Sequence, residues 1–133
     1  MIYVLDTNVV SDFLKMQPTV LAAVREHLLD GDHLLIAPHV HYELVRGLVR
    51  YNATTQLKRL NEEILPLLEW TPLTDDDWLQ AAHLWAATVS AGKQLTDMDL
   101  LLAALTQRLD ATLVTADDDF DALPIKRVNW RVG

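Results

Sequence analysis

Residues 2–8 read Ile2-Tyr3-Val4-Leu5-Asp6-Thr7-Asn8, a short apolar run that stops on an acid and two residues able to cap a helix. A run of this length and partly β-branched character suits a strand buried on both faces, with a helix over Val9 to Lys15 following the cap. The same alternation continues outward. Pro18 suits the first turn of a second helix carrying Val20, Leu21, Val24 and Leu28, and Asp30-Gly31-Asp32 makes a turn into a second strand over His33 to Ala37. Helices are expected over about 39–51 and 54–65, a short strand over Leu68 to Thr71, and helices from Thr74 to about Ala91 and from Thr96 to about Leu109. Thr112 to Thr115 is a fourth strand and Arg127 to Trp130 a weak edge strand. Strands that alternate with helices pair in parallel through right-handed crossovers, so the expected fold is α/β: a three-layer α/β/α sandwich around a central parallel sheet of four to five strands. With 133 residues and no linker or repeat, one domain over 1–133 is expected.

Composition narrows the chemistry. Eleven Lys and Arg face nineteen Asp and Glu, for a formal charge of −8, which argues against a protein that coats nucleic acid nonspecifically. The chain has no cysteine, so any metal must sit on oxygen or histidine. Four scattered glycines leave no phosphate-cradling loop. No apolar run spans a bilayer and no leader precedes the first strand, so a cytoplasmic protein is expected.

In open α/β sheets the ligand site lies beyond the carboxyl ends of the strands. Four acids are placed to meet there: Asp6 after the first strand, Glu43 early in the helix after the second, Asp99 at the start of the apolar helix, and Asp117 after the fourth strand. Clustered carboxylates repel and hold protons unless a cation neutralises them, and a hard-oxygen set suits Mg²⁺ or Mn²⁺. Each acid also has a local reading. Asp6 can end a strand as a cap, Glu43 can be a solvated helix acid, Asp97 and Asp99 complement a helix start, and Asp117 to Asp121 can form a polar turn. Asp75 to Asp77 are read as a helix start alone. Asp117, Asp119 and Asp121 imitate a calcium loop, but Ala122 and Val128 stand where it needs glycine and its closing acid. His39 and His41 lack the spacing of a zinc pair, no serine lies in a nucleophile elbow, and Trp70, Trp78, Trp85 and Trp130 are read as packing residues. Between Glu43 and Glu62 the charge reverses locally, with Arg46, Arg50, Lys58 and Arg59 and no acid. Such a face beside an acidic crevice suits a phosphodiester substrate, and equally an ordinary solvated helix pair.

Five pieces in order resemble a known family: Val4-Leu5-Asp6-Thr7-Asn8, Tyr42-Glu43-Leu44 with Gly47, Leu95-Thr96-Asp97-Met98-Asp99 running into Leu102-Ala103-Ala104, Leu113-Val114-Thr115-Ala116-Asp117 with Asp119-Phe120, and Val128-Asn129-Trp130. Together they are similar to PIN-domain ribonucleases of the VapC toxin type. The resemblance implies a metal-dependent endoribonuclease of a type II toxin-antitoxin system, a cognate antitoxin that blocks its active site, a homodimer, and an RNA substrate with transfer RNA as the first expectation. It implies that Asp6, Glu43, Asp99 and Asp117 hold one or two Mg²⁺ or Mn²⁺, with Asp97 as an additional ligand candidate and Asn8 and Thr115 as their supports. His39, His41 and Ala116 depart from the residues common at those places. A metal-dependent phosphatase, a receiver-like domain, or a non-catalytic PIN module that only binds a partner are the alternatives.

Overall fold

The computed structural model describes residues 1–132. A five-stranded, wholly parallel sheet in the order β3-β2-β1-β4-β5 forms its centre, built from β1 (Ile2–Leu5), β2 (His33–Ile36), β3 (Glu69–Trp70), β4 (Thr112–Val114) and β5 (Lys126–Val128). Six α-helices connect the strands: α1 (Thr7–Leu14), α2 (Pro18–Leu29), α3 (Pro38–Arg50), α4 (Thr54–Arg59), α5 (Asp75–Ser90) and α6 (Asp97–Arg108). The α/β reading therefore holds, with all five strands paired. No helix among the described residues is long and apolar enough to cross a membrane.

Burial explains why the apolar runs adopt these places. Val4 and Leu5 on β1, Leu34 to Ile36 on β2 and Leu113 and Val114 on β4 are all buried, as strands covered on both faces require. In α6 every residue from Leu100 to Thr106 is buried, in keeping with a helix that is apolar nearly all round. Thr106 is the one hydroxyl in that run, and its Oγ1 donates to the Leu102 carbonyl at 2.8 Å.

Several boundaries move. The helix expected over 54–65 stays α-helical only to Arg59, widens into a π-turn over Leu60–Ile64, and tightens to a 3₁₀ turn over Leu65–Leu67. Pro66 cannot donate an amide hydrogen to an earlier turn, and the wide turn keeps Leu60 and Ile64 both in the core. The last strand is Lys126–Val128 rather than 127–130. Trp130 lies in a turn beyond it, buried, with its ring 5.0 Å from His27 in a stacked geometry. The other three tryptophans, Trp70, Trp78 and Trp85, are about half exposed and do not belong to the core.

Gly47 sits inside α3 with no positive φ, and a Cβ there would meet nothing within 4 Å. Gly47→Ala is expected to raise stability by about 0.5–1 kcal/mol through the lower backbone entropy of alanine in the unfolded chain. A thermal melt reads this as a higher midpoint, and a lower midpoint would contradict it.

Candidate active site

The chain runs from β1 to one edge of the sheet through β2 and β3, then returns to the other side through β4 and β5. The order therefore reverses between β1 and β4, and the crevice at their carboxyl ends is where an open α/β sheet binds ligands. The β1–β4 register pairs Leu5 with Val114, and the Asp6 amide donates to the Val114 carbonyl at 3.0 Å. Asp6 and Thr115 thus leave the sheet side by side.

A closed set of hydrogen bonds follows from that placement. Asp6 is the N-cap of α1, its Oδ1 accepting from the Thr7 amide at 2.7 Å. Its Oδ2 accepts from Thr115 Oγ1 at 2.8 Å and Asn8 Nδ2 at 3.1 Å. Asn8 Nδ2 also donates to Thr115 Oγ1, and Asn8 Oδ1 accepts from the Ala116 amide, both at 3.1 Å. Thr115 Oγ1 accepts from the Asp117 amide at 3.0 Å, which joins the fourth-strand acid to the same network. Glu43 enters from α3, where its Oε2 accepts from Thr7 Oγ1 at 3.1 Å. Asp99 lies in the first turn of α6, its amide donating to Thr96 Oγ1 at 3.2 Å. Phe120, fully buried, anchors the 3₁₀ turn over Asp118–Ala122 that follows Asp117.

The four acids bear on one another electrostatically. Burial pushes the Asp6 carboxyl above the usual carboxylate range; hydrogen bonds from Thr115 and Thr7 oppose this, while the charges of Asp99 and Glu43 add to it. Burial likewise raises Asp99, with the charges of Asp117 and Glu43 pushing the same way against the bonds of Thr96. None of the four forms a salt bridge among the described residues. Asp6 and Asp99 are thus desolvated anions facing like charge without a basic partner, the situation a divalent cation relieves. Three of the roughly four lone-pair sites of the Asp6 carboxylate are occupied, which leaves one for a ligand. The donor set is hard oxygen throughout, so these residues fit Mg²⁺ or Mn²⁺.

A tighter acidic group lies alongside. Asp117, Asp118 and Asp119 bring one ligand atom each within 4.8 Å of one another, a consequence of the 3₁₀ turn, in which the Asp119 amide donates to Asp117 Oδ1 at 2.9 Å. Asp118 and Asp119 are exposed, so water already solvates their charge. Asp121 is spent elsewhere, held below the usual carboxylate range by its paired 2.8 Å bonds from Arg127.

Two candidate residues have further surroundings of their own. Asp97, about 200° around α6 from Asp99, lines a groove with Trp78, Trp85 and Leu101. Arg59 is not a free cation of the basic stretch, because its Nη1 donates to the Leu14 carbonyl at 2.9 Å and its Nε to Glu63 at 3.1 Å, tying α4 to the end of α1. Arg46, Arg50 and Lys58 are exposed.

Two residues at the site were not singled out from sequence. Thr7 orients Glu43, a role its place next to Asp6 signals only once α3 is known to pack on α1. His39, which lacks the spacing of a zinc pair, is buried in the first turn of α3, and neither ring nitrogen has a hydrogen-bond partner of good geometry. Burial pushes its imidazole below the ordinary value, against the opposing pulls of the Met98 backbone and Glu43. The ring packs between α3 and the start of α6, and no pattern of spacing signals it.

Known proteins share this fold. The chain is 26% identical over 113 residues to the ribonuclease VapC19 of Mycobacterium tuberculosis, a match covering 85% of this chain and 86% of that one. The structure of FitAcB from Neisseria gonorrhoeae superposes with a TM-score of 0.85 at 25% identity, covering 100% of each chain. DNA-bound VapBC from Salmonella typhimurium superposes with a TM-score of 0.86 at 18% identity over 98% of each. The PIN-domain model matches residues 3–126, and the chain accordingly belongs to the PIN-domain family.

Proposed function

We propose that this chain is the toxin of a type II toxin-antitoxin system, a cytoplasmic endoribonuclease that uses Mg²⁺ or Mn²⁺ to cut RNA phosphodiester bonds, with transfer RNA first among its substrates. The observation that carries this reading is the hydrogen-bond network that joins Asp6 to Asp117 through Asn8 and Thr115 and holds Glu43 on Thr7, with Asp99 acting on Asp6 by charge and none of the four paired with a base. The similarity to a protein named as a ribonuclease supports it. Asp6, Glu43, Asp99 and Asp117 would hold the ion, which when bound polarises a phosphoryl oxygen and makes a bound water acidic. Asn8 and Thr115 fix the Asp6 carboxylate, and Thr7 fixes Glu43, so the anionic groups are in position before substrate arrives. Arg46, Arg50 and Lys58 supply the positive charge that holds flanking phosphates.

Asn8 separates this reading from a phosphatase or receiver. A phosphatase of this topology places a second acid two residues after the first, and here that position is an amide committed to Asp6, Thr115 and Ala116. An antitoxin and a second copy of the chain both need apolar surface, and α5 exposes Trp78, Leu79, Trp85 and Val89.

Incubation of fluorogenic RNA with the purified chain tests the proposal. Cleavage is expected with Mg²⁺ or Mn²⁺ and none in EDTA, and saturating Mn²⁺ is expected to raise the melting temperature by several degrees by mass action. Cleavage that persists in EDTA would sink it.

A further inference from the structure

Along the exposed side of α3, Tyr42, Arg46 and Arg50 form a row at i, i+4 and i+8, each step turning about 40°. The Arg46 guanidinium lies over the Tyr42 ring at 5.4 Å from its centroid, and at the helix end the Arg50 guanidinium lies over Tyr51 at the same distance. Tyr42 is 55% and Tyr51 75% exposed, so neither ring is covered by the fold. Glu43 is the next residue after Tyr42, and Gly47, one turn beyond Glu43, leaves open space where a side chain would project. A planar cation resting on an aromatic ring within about 6 Å offers layered π surface and positive charge together. Bases splayed from an unpaired strand stack on such surfaces, while a duplex keeps its bases turned inward.

We infer that the Tyr42–Arg46 and Tyr51–Arg50 pairs on α3 are base-stacking platforms that hold an unpaired RNA segment beside the acidic crevice. The inference rests on the nuclease reading above and adds to it the residues that grip the bases. Charge complementarity names the occupant: in a chain of net charge −8, residues 44–61 expose Arg46, Arg50 and Lys58 and carry no acid. The two platforms are about 14 Å apart by helical rise, a span of roughly four stacked nucleotides.

The test uses the full chain carrying Asp6→Asn, so that binding is read without cleavage, and a short fluorescein-labelled oligoribonucleotide offered either unpaired or as a duplex. Anisotropy is expected to show tighter binding of the unpaired strand. Tyr42→Ala is expected to weaken that binding by about 5- to 100-fold and duplex binding by less than about twofold, Tyr42→Phe to retain it, and Tyr51→Ala to act in the same direction. Unchanged single-strand affinity in both alanine variants overturns the inference, as does equal loss in Tyr42→Phe. A change of mass in light scattering with RNA affinity intact overturns it too, by assigning the face to a protein contact. If these binding differences hold but the wild-type chain cuts no RNA with Mg²⁺ or Mn²⁺, the nuclease reading alone fails.

Discussion

Asp99→Asn is expected to lower RNA cleavage by roughly a thousandfold and, in metal-free buffer at neutral pH, to raise the melting temperature. The two effects have opposite signs for one reason. A half-buried carboxylate under the charges of Asp117 and Glu43 is useful when a cation binds and unfavourable when none does. Because the folded value of Asp99 is raised, the native state holds protons that the unfolded state has released. The stabilising contribution of the protonated form is complete below the ordinary value of 3.8 and is lost as pH rises through the raised folded value. The amide abolishes that loss. The cap of α6 survives the substitution, since it is the Asp99 main-chain amide that donates to Thr96 Oγ1. Asp6→Asn is expected to remove cleavage equally, with less gain in stability, because its new amide would face the donor Nδ2 of Asn8 and the crowded Thr115 Oγ1. Rate assays with melts at pH 5 and pH 7.5, with and without Mn²⁺, check this. A metal-free melting point for Asp99→Asn below that of wild type would show that Asp99 serves the fold rather than a cation.

Asp77→Ala is expected to cost about 3 kcal/mol of stability while leaving the cleavage rate of the folded protein unchanged. Asp77 is 1% exposed, at the start of α5, and its hydrogen bonds go to Arg108 and Thr74 rather than to any of the four acids or their supports. Its carboxylate accepts from Arg108 Nε at 2.8 Å, Arg108 Nη2 at 3.1 Å and the Thr74 amide at 2.9 Å, so one side chain both caps α5 and fastens it to the end of α6. Burial alone would raise this carboxyl, but the bonds from Arg108 and Thr74 and the charge of Arg108 hold it below the usual range. The sign is therefore opposite to that of Asp99. The pair contributes stability above about pH 3.8 that is lost as pH falls through the folded value. Urea denaturation at neutral pH checks the magnitude, and loss of cleavage in protein shown to be folded would contradict the separation of the two roles.

The contrast between these two acids marks how far sequence could carry the site. Asp75 to Asp77 read as a helix start, and the structure keeps that reading, yet nothing in three consecutive aspartates indicates that the third is buried on an arginine 31 residues away. Asp97 and Asp99 both stand in the first turn of the helix that Thr96 opens. Only the direction in which α6 packs sets the surroundings of each, Asp99 under the charges of Asp117 and Glu43 and Asp97 in a groove beside Trp78 and Trp85. Arg59 shows the same limit, because a cation in a basic run is indistinguishable from one that closes a backbone carbonyl until α1 and α4 are placed together.

By itself the sequence determined the α/β architecture and the four acids at strand ends and helix starts. Apolar runs four residues long, helical spacing and capping residues are local signals, and burial of both faces of a strand leaves one arrangement for them. The resemblance of the five segments to PIN-domain ribonucleases also came from local stretches in order. Tertiary structure alone decided what lies around each acid: that Asp6, Asn8, Thr115 and Asp117 share one hydrogen-bond network across 107 residues or more, that Glu43 is held by Thr7, that His39 is buried without a hydrogen-bond partner of good geometry, and that Tyr42 and Tyr51 stay open beneath their arginines. The physical reason is range. Secondary structure follows from contacts between near neighbours in the chain, whereas desolvation and charge coupling depend on which segments the packed sheet brings together.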